Sequence, residues 1–69
     1  MVLIFGKDSC PYTTAARDDY AARGVAFEYV NVKKNPARLQ EMLKHSGGRR
    51  AVPVIVDEGR VTIGFEGGT

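Results

Sequence analysis

Tryptophan is absent from this chain, and cysteine occurs once, at position 10. A lone cysteine excludes an intramolecular disulfide and any multi-cysteine zinc site within one chain, so the fold stands on packing alone. No apolar run exceeds Met1–Phe5. That is far short of the roughly 18–20 residues that cross a bilayer, and too short for a secretory signal core. Charge of one sign is lacking too: ten Lys and Arg stand against eight Asp and Glu, a net +2. The only adjacent basic pairs are Lys33-Lys34 and Arg49-Arg50, not the clustered stripe of a nucleic-acid binder. What is there, 43% apolar and 26% charged residues, is the balance of a soluble globular chain. At 69 residues it is expected to be one domain, 1–69. Small secreted domains usually carry several bridges, so the expected location is cytoplasmic.

Val2-Leu3-Ile4-Phe5 is a continuous apolar run, as in a strand buried on both faces of a sheet, and Gly6 ends it. After a polar loop, Pro11 stands at the first position of a helix running to Arg23, with Ala16 and Tyr20 on its inward face. Gly24 follows as the left-handed residue that closes it. Ala26–Val32, rich in β-branched and aromatic residues, is a second strand. Asn35-Pro36 reads as N-cap and first position of a second helix, whose stripe is Leu39, Met42 and Leu43 and whose end is Gly47-Gly48. Val54–Val56, a turn at Asp57–Arg60 and Val61–Ile63 complete a β-α-β-α-β-β order. The class is α/β: a four-stranded mixed sheet with helices packed on it, parallel in its first half and closed by an antiparallel hairpin.

Cys10 falls at the N-cap of the first helix. Unpaired N–H groups of the first turn and the helix dipole favour a thiolate there, and such surroundings bring cysteine pKa values to about 3.5–7.5 from about 8.5. Pro11 has no N–H, so the donors are those of Tyr12 and Thr13. Lys7 lies three residues earlier, and the Thr13 hydroxyl stands one turn on, within reach of the sulfur. Thr13 cannot resolve a mixed disulfide, so redox chemistry at Cys10 needs a second thiol from outside. The alternative for a lone cysteine is a small buried hydrophobe. The position before Pro at a helix start points instead to an accessible polar site.

Lys7-Asp8-Ser9-Cys10-Pro11-Tyr12-Thr13 resembles the glutaredoxin active-site segment K-x-x-C-P-Y-C, with threonine for its second cysteine. Ala16, Tyr20 and Gly24–Phe27 fall at the family's spacings, Ala51-Val52-Pro53 resembles its T-V-P, and Ile63-Gly64 resembles the start of its I-G-G-x-D. The resemblance covers nearly the whole chain and implies a minimal thioredoxin-like fold. By that resemblance Cys10 is the catalytic residue, supported by Lys7, Pro11, Tyr12 and Thr13. Pro53 is cis, and its bond turns the backbone of Val52 toward the cysteine to pair with glutathione. Lys7, with Arg38 and Gln40 from the second helix, meets the glycine carboxylate of glutathione, and Tyr12 lines the groove. Arg49 and Arg50 add positive potential, or are plain loop charges.

The tail departs from the family. Its acidic residues, which hold the γ-glutamyl end of glutathione, are replaced by Gly67, Gly68 and Thr69. Their amides and the Thr69 hydroxyl are the expected carboxylate nest. The usual final helix has no counterpart, so the chain reads as a minimal variant or as part of a longer product. Phe65 after Gly64 is similar to the redoxin subgroup reduced by thioredoxin reductase, but that subgroup uses two cysteines. The implied function is glutathione-dependent monothiol thiol–disulfide exchange, taking glutathione as co-substrate and glutathionylated proteins or small disulfides as partners. The expected molecule is a monomer that uses no metal and binds neither nucleic acid nor membrane. Two other readings stand beside it: an iron–sulfur carrier in which Cys10 of two chains and two glutathiones ligate a [2Fe–2S] cluster, and a non-catalytic thioredoxin-like binding module.

Overall fold

The central strand is the one whose sequence is apolar without interruption. In the computed structural model, which describes residues 1–69, β1 (Val2–Gly6) lies between β2 (Phe27–Asn31) and β3 (Val54–Asp57), and β4 (Arg60–Ile63) completes the order β2-β1-β3-β4. β1 pairs with β2 in parallel and with β3 antiparallel; the β3–β4 hairpin is antiparallel. Helices α1 (Pro11–Ala22) and α2 (Pro36–Ser46) occupy the two expected connections, but only α1 joins parallel strands, because β3 runs antiparallel to β1 and so to β2.

The two helices cover opposite faces of the sheet. Val2, Ile4 and Ile55 point to the α1 face, where Ala16 is fully buried and Tyr20 and Phe27 pack around it. Leu3, Phe5, Val30, Val54 and Val56 point to the other, under Leu39, Met42 and Leu43 of α2. Strand residues alternate sides, so a strand sandwiched between two helices must be apolar at every position. The expected stripe of α2 and inward face of α1 are both seen.

The caps differ in one respect from expectation. Gly24 and Gly47 do take left-handed conformations after the two helices. Asn35 occupies the N-cap of α2, but its side chain caps nothing. Its amide instead donates to the Asn31 carbonyl at 3.1 Å, while the Asn31 side chain accepts from the N–H groups of Lys33 and Lys34. The Asn31–Asn35 loop thus closes on itself.

Asp57–Arg60 is a tight turn with Glu58 at φ 50° and Gly59 at φ 86°. Both central residues are left-handed, the type I′ geometry that suits hairpin twist and favours Asn-Gly. Glu58 is the wrong residue for it, because a Cβ disfavours that region by about 1 kcal/mol. Glu58→Asn should therefore raise stability by up to about 1 kcal/mol, read as a higher denaturation midpoint at unchanged m-value.

Candidate functional site

The carboxyl end of a parallel strand is where open α/β sheets hold ligands, beside the point at which connections leave to opposite faces. Here that point is the end of β1. The register that pairs Phe5 with Val54 carries the chain after Gly6 past Pro53 and Val52, so loop 7–10 faces the segment leading into β3. Val52–Pro53 is a cis peptide, as the resemblance implies. The Cys10 sulfur, as a thiol, points at the Val52 carbonyl across a long 3.9 Å contact.

Cys10 has extended backbone at the N-cap of α1, and its carbonyl accepts the Thr14 N–H at 3.2 Å. The residue is only 5% exposed, so the accessible thiol of the sequence reading is a nearly buried one at the floor of an opening. Burial is the largest influence on its ionisation and opposes it. The Thr13 hydroxyl, the N–H groups of Thr13 and Tyr12 and the charge of Lys7 together outweigh burial, and the thiol lies below its ordinary value. The neutral thiol makes no cap hydrogen bond to the helix. Those donors become its partners when it ionises, because only the anion is a strong acceptor.

Thr13 gives this its sharpest form. It is fully buried, and its hydroxyl has no hydrogen-bond partner. An unmet buried hydroxyl costs about 1–3 kcal/mol. Thr13 packs over Gly6, where a Cβ would come within 2.3 Å of its methyl, so glycine at the end of β1 is what admits this side chain. The thiolate supplies the missing acceptor.

A cavity of about 310 Å³ opens beside the sulfur, lined by Lys7, Ser9, Cys10, Pro11, Arg50, Ala51, Val52 and Thr69. Lys7, Cys10, Pro11, Val52 and Thr69 are thus brought together as expected. Arg50, weighed before as added positive potential or as plain loop charge, is a lining residue, and with Lys7 it makes the charged wall cationic. Its signal was its place directly before Ala51-Val52-Pro53.

The other expected contacts are arranged differently. Arg38 does not reach the cavity: its guanidinium binds Glu41 on its own helix at 2.7 Å and Glu28 on β2 at 3.4 Å. The bond to Glu41 and the charges of Glu41 and Glu28 raise its pKa further, although partial desolvation pulls the other way. Gln40 is exposed and is not part of the lining either. Tyr12 does not line the cavity; its half-exposed ring lies flat on Gly68, where any Cβ would collide with it. The expected nest at the tail is partly spent, because the Gly68 N–H donates to the Phe65 carbonyl at 2.9 Å and the Phe65 N–H returns the bond. Glu66 at φ 50° and Gly67 at φ 81° make this a second left-handed turn. Tyr12 and this turn together set Thr69 at the rim. Neither Gly67 nor Gly68 lines the cavity, and Pro53 and Thr13 are buried behind it.

The family model described as glutaredoxin matches residues 2–61. Glutaredoxin 3 of Escherichia coli is 39% identical over 54 residues, which span 78% of this chain and 64% of that protein's length. Among solved structures, the glutaredoxin-like NrdH-redoxin of Escherichia coli is 28% identical, with a TM-score of 0.80 over 94% of this chain and 83% of its own. A glutaredoxin from Archaeoglobus fulgidus superposes with a TM-score of 0.85 over 94% of this chain and 75% of its own; at 24% identity it speaks for the fold alone. The fold is thus thioredoxin-like, in the β-α-β-α-β-β order.

Proposed function

The chain belongs to the glutaredoxin family, and from that membership we propose that it is a glutathione-dependent monothiol thiol–disulfide oxidoreductase acting through Cys10. The observation that carries the reading is the sole cysteine of the chain, held at a helix N-terminus below a cationic cavity. No helix is long and apolar enough to cross a membrane.

In the first step the Cys10 thiolate attacks the glutathione sulfur of a glutathionylated thiol. A Cys10–glutathione disulfide forms, and the substrate leaves as a thiolate that takes a proton from solvent. In the second step the thiolate of a second glutathione attacks the glutathione sulfur of that adduct. Oxidised glutathione departs and Cys10 returns as the thiolate, so the net exchange turns one glutathionylated thiol and one glutathione into the free thiol and oxidised glutathione. The Thr13 hydroxyl and the first-turn N–H groups stabilise the sulfur as nucleophile in one step and as leaving group in the other. Lys7 and Arg50 attract the glutathione carboxylates, and the backbone of Val52 runs alongside the bound peptide as a neighbouring strand would.

Exposure to oxidised glutathione should add one glutathione per chain, on Cys10, by mass spectrometry. A chain that stays unmodified sinks the reading. Arg50→Ala should slow formation of the adduct about two- to fivefold at low ionic strength, the worth of one exposed charge pair.

A further inference from the structure

Lys7, Ser9 and Cys10 line the cavity, but Asp8 between them does not. Its carboxylate accepts a 2.7 Å hydrogen bond from the Tyr29 hydroxyl on β2. Lys34, in the loop before α2, brings its ammonium to 3.9 Å from the other carboxylate oxygen. The Tyr29 ring is itself held, with the Arg17 guanidinium of α1 3.9 Å from its centroid. Burial and the bond to Asp8 push the Tyr29 pKa up to about 12, so the hydroxyl remains a donor throughout the neutral range. Tyr29 of β2, braced by Arg17 of α1, and Lys34 of the loop before α2 thus converge on a single acidic side chain within the reactive loop.

A carboxylate two residues from the sulfur is a liability for an anionic nucleophile with anionic substrates. Asp8 is 59% exposed and is kept in place chiefly by the Tyr29 hydroxyl, since the Lys34 contact is long and Lys34 itself is 76% exposed. Released, it is free to approach Lys7 and cancel the charge that faces the cavity. We propose that Tyr29 is a positioning residue of the thiol site, holding the carboxylate of Asp8 away from Cys10 and the cavity so that their surroundings stay cationic. The inference rests on Cys10 being the reacting group, and it is independent of which thiol Cys10 exchanges with. The charged and titratable groups around the sulfur in this account are Lys7 and Asp8 of the loop, Arg17 of α1, Tyr29 of β2, Lys34, and Arg50 before β3.

The test is alkylation of Cys10 by iodoacetate and by iodoacetamide at one pH and low ionic strength. Both reagents consume the same thiolate, so the ratio of their rates cancels the thiolate fraction and reports the potential at the sulfur. Tyr29→Phe keeps the ring under Arg17 and removes only the donor. It should lower the ratio about twofold, the effect of one mobile charge some 6 Å away in water, and salt should erase the difference. Asp8→Asn in the Tyr29→Phe background should restore the ratio to the wild-type value or above. Asp8→Asn alone should leave it close to wild type, because the charge it removes is already held aside. Three results overturn the proposal: an unchanged ratio in Tyr29→Phe, no recovery in the double variant, or a rise of about twofold or more in Asp8→Asn alone. The second would mean that Tyr29 is a strut whose loss distorts the loop whatever residue 8 is. The third arm gives its answer even if Tyr29→Phe does not fold. Loss of glutathione adduct formation with these ratios intact would count against the proposed function only.

Discussion

Cys10→Ser should reduce deglutathionylation to the uncatalysed background while leaving the fold in place. Serine is nearly isosteric, and the sulfur contributes only a long contact to the Val52 carbonyl, so little packing is lost. What disappears is the nucleophile: a hydroxyl is not ionised near neutral pH even beside N–H donors and a lysine. No other cysteine exists in the chain to take over. The measurement is release of glutathione from a glutathionylated protein, followed by a coupled reductase assay, with circular dichroism as the control for folding. Turnover retained by a folded Cys10→Ser chain would remove Cys10 from the mechanism.

Thr13→Val should move stability and activity in opposite directions. In the resting protein the Thr13 hydroxyl is buried with no partner. An isosteric methyl relieves that penalty, and the variant should gain about 1 kcal/mol at a pH acid enough to keep the thiol protonated. Ionised Cys10 loses a donor, so its pKa should rise and the rate at a pH below that pKa should fall. A hydrogen bond to a charged group is worth about 1.5 kcal/mol, roughly tenfold in thiolate population. A more basic thiolate is intrinsically more nucleophilic, which returns part of this and leaves about a three- to tenfold loss. Thr13→Ser should keep the thiol acidic.

The same residue links pH to stability. Cys10 titrates below its ordinary value of 9.0 in the native state, so the folded chain releases the proton before the unfolded one does. The stability this confers is complete above 9.0 and is lost as pH falls through the native value. The advantage of Thr13→Val should accordingly shrink as pH rises through the native value, because only the ionised sulfur gives the threonine hydroxyl its acceptor. Denaturation midpoints of the two chains, followed from acid pH to above 9.0, check this, and a difference constant across the whole range would mean that Thr13 does not touch the thiolate.

Much of the fold was legible because it depends on neighbours in sequence. Val2–Phe5 declared a strand buried on both sides, Pro11 and Gly24 bracketed α1, and Leu39, Met42 and Leu43 marked the buried side of α2. The thiol at a helix start was legible for the same reason, since the N–H groups that face it come from the next three residues. The partners of Arg38 were not. Glu41 lies one turn on, but Glu28 reaches it only because β2 runs beneath α2, and the two pairs leave no free fork for a ligand. Tyr12, which the family resemblance puts in the groove, spends its ring on Gly68, a contact that requires the tail to fold back through the Phe65–Gly68 bridge.

The sequence by itself determined that these 69 residues hold one thiol, that it stands at a helix N-terminus, and that any redox cycle must take its second thiol from outside them. Those conclusions follow from composition and from hydrogen bonds spanning a few residues. Which charges surround the thiol was decided only by the tertiary structure. The antiparallel pairing of β1 with β3 delivers Val52 and Arg50 to Cys10 from forty residues away, and the parallel pairing of β1 with β2 delivers Tyr29 to Asp8. Strand register is a property of the whole sheet, set by burying both faces of β1 at once, and no local pattern carries it.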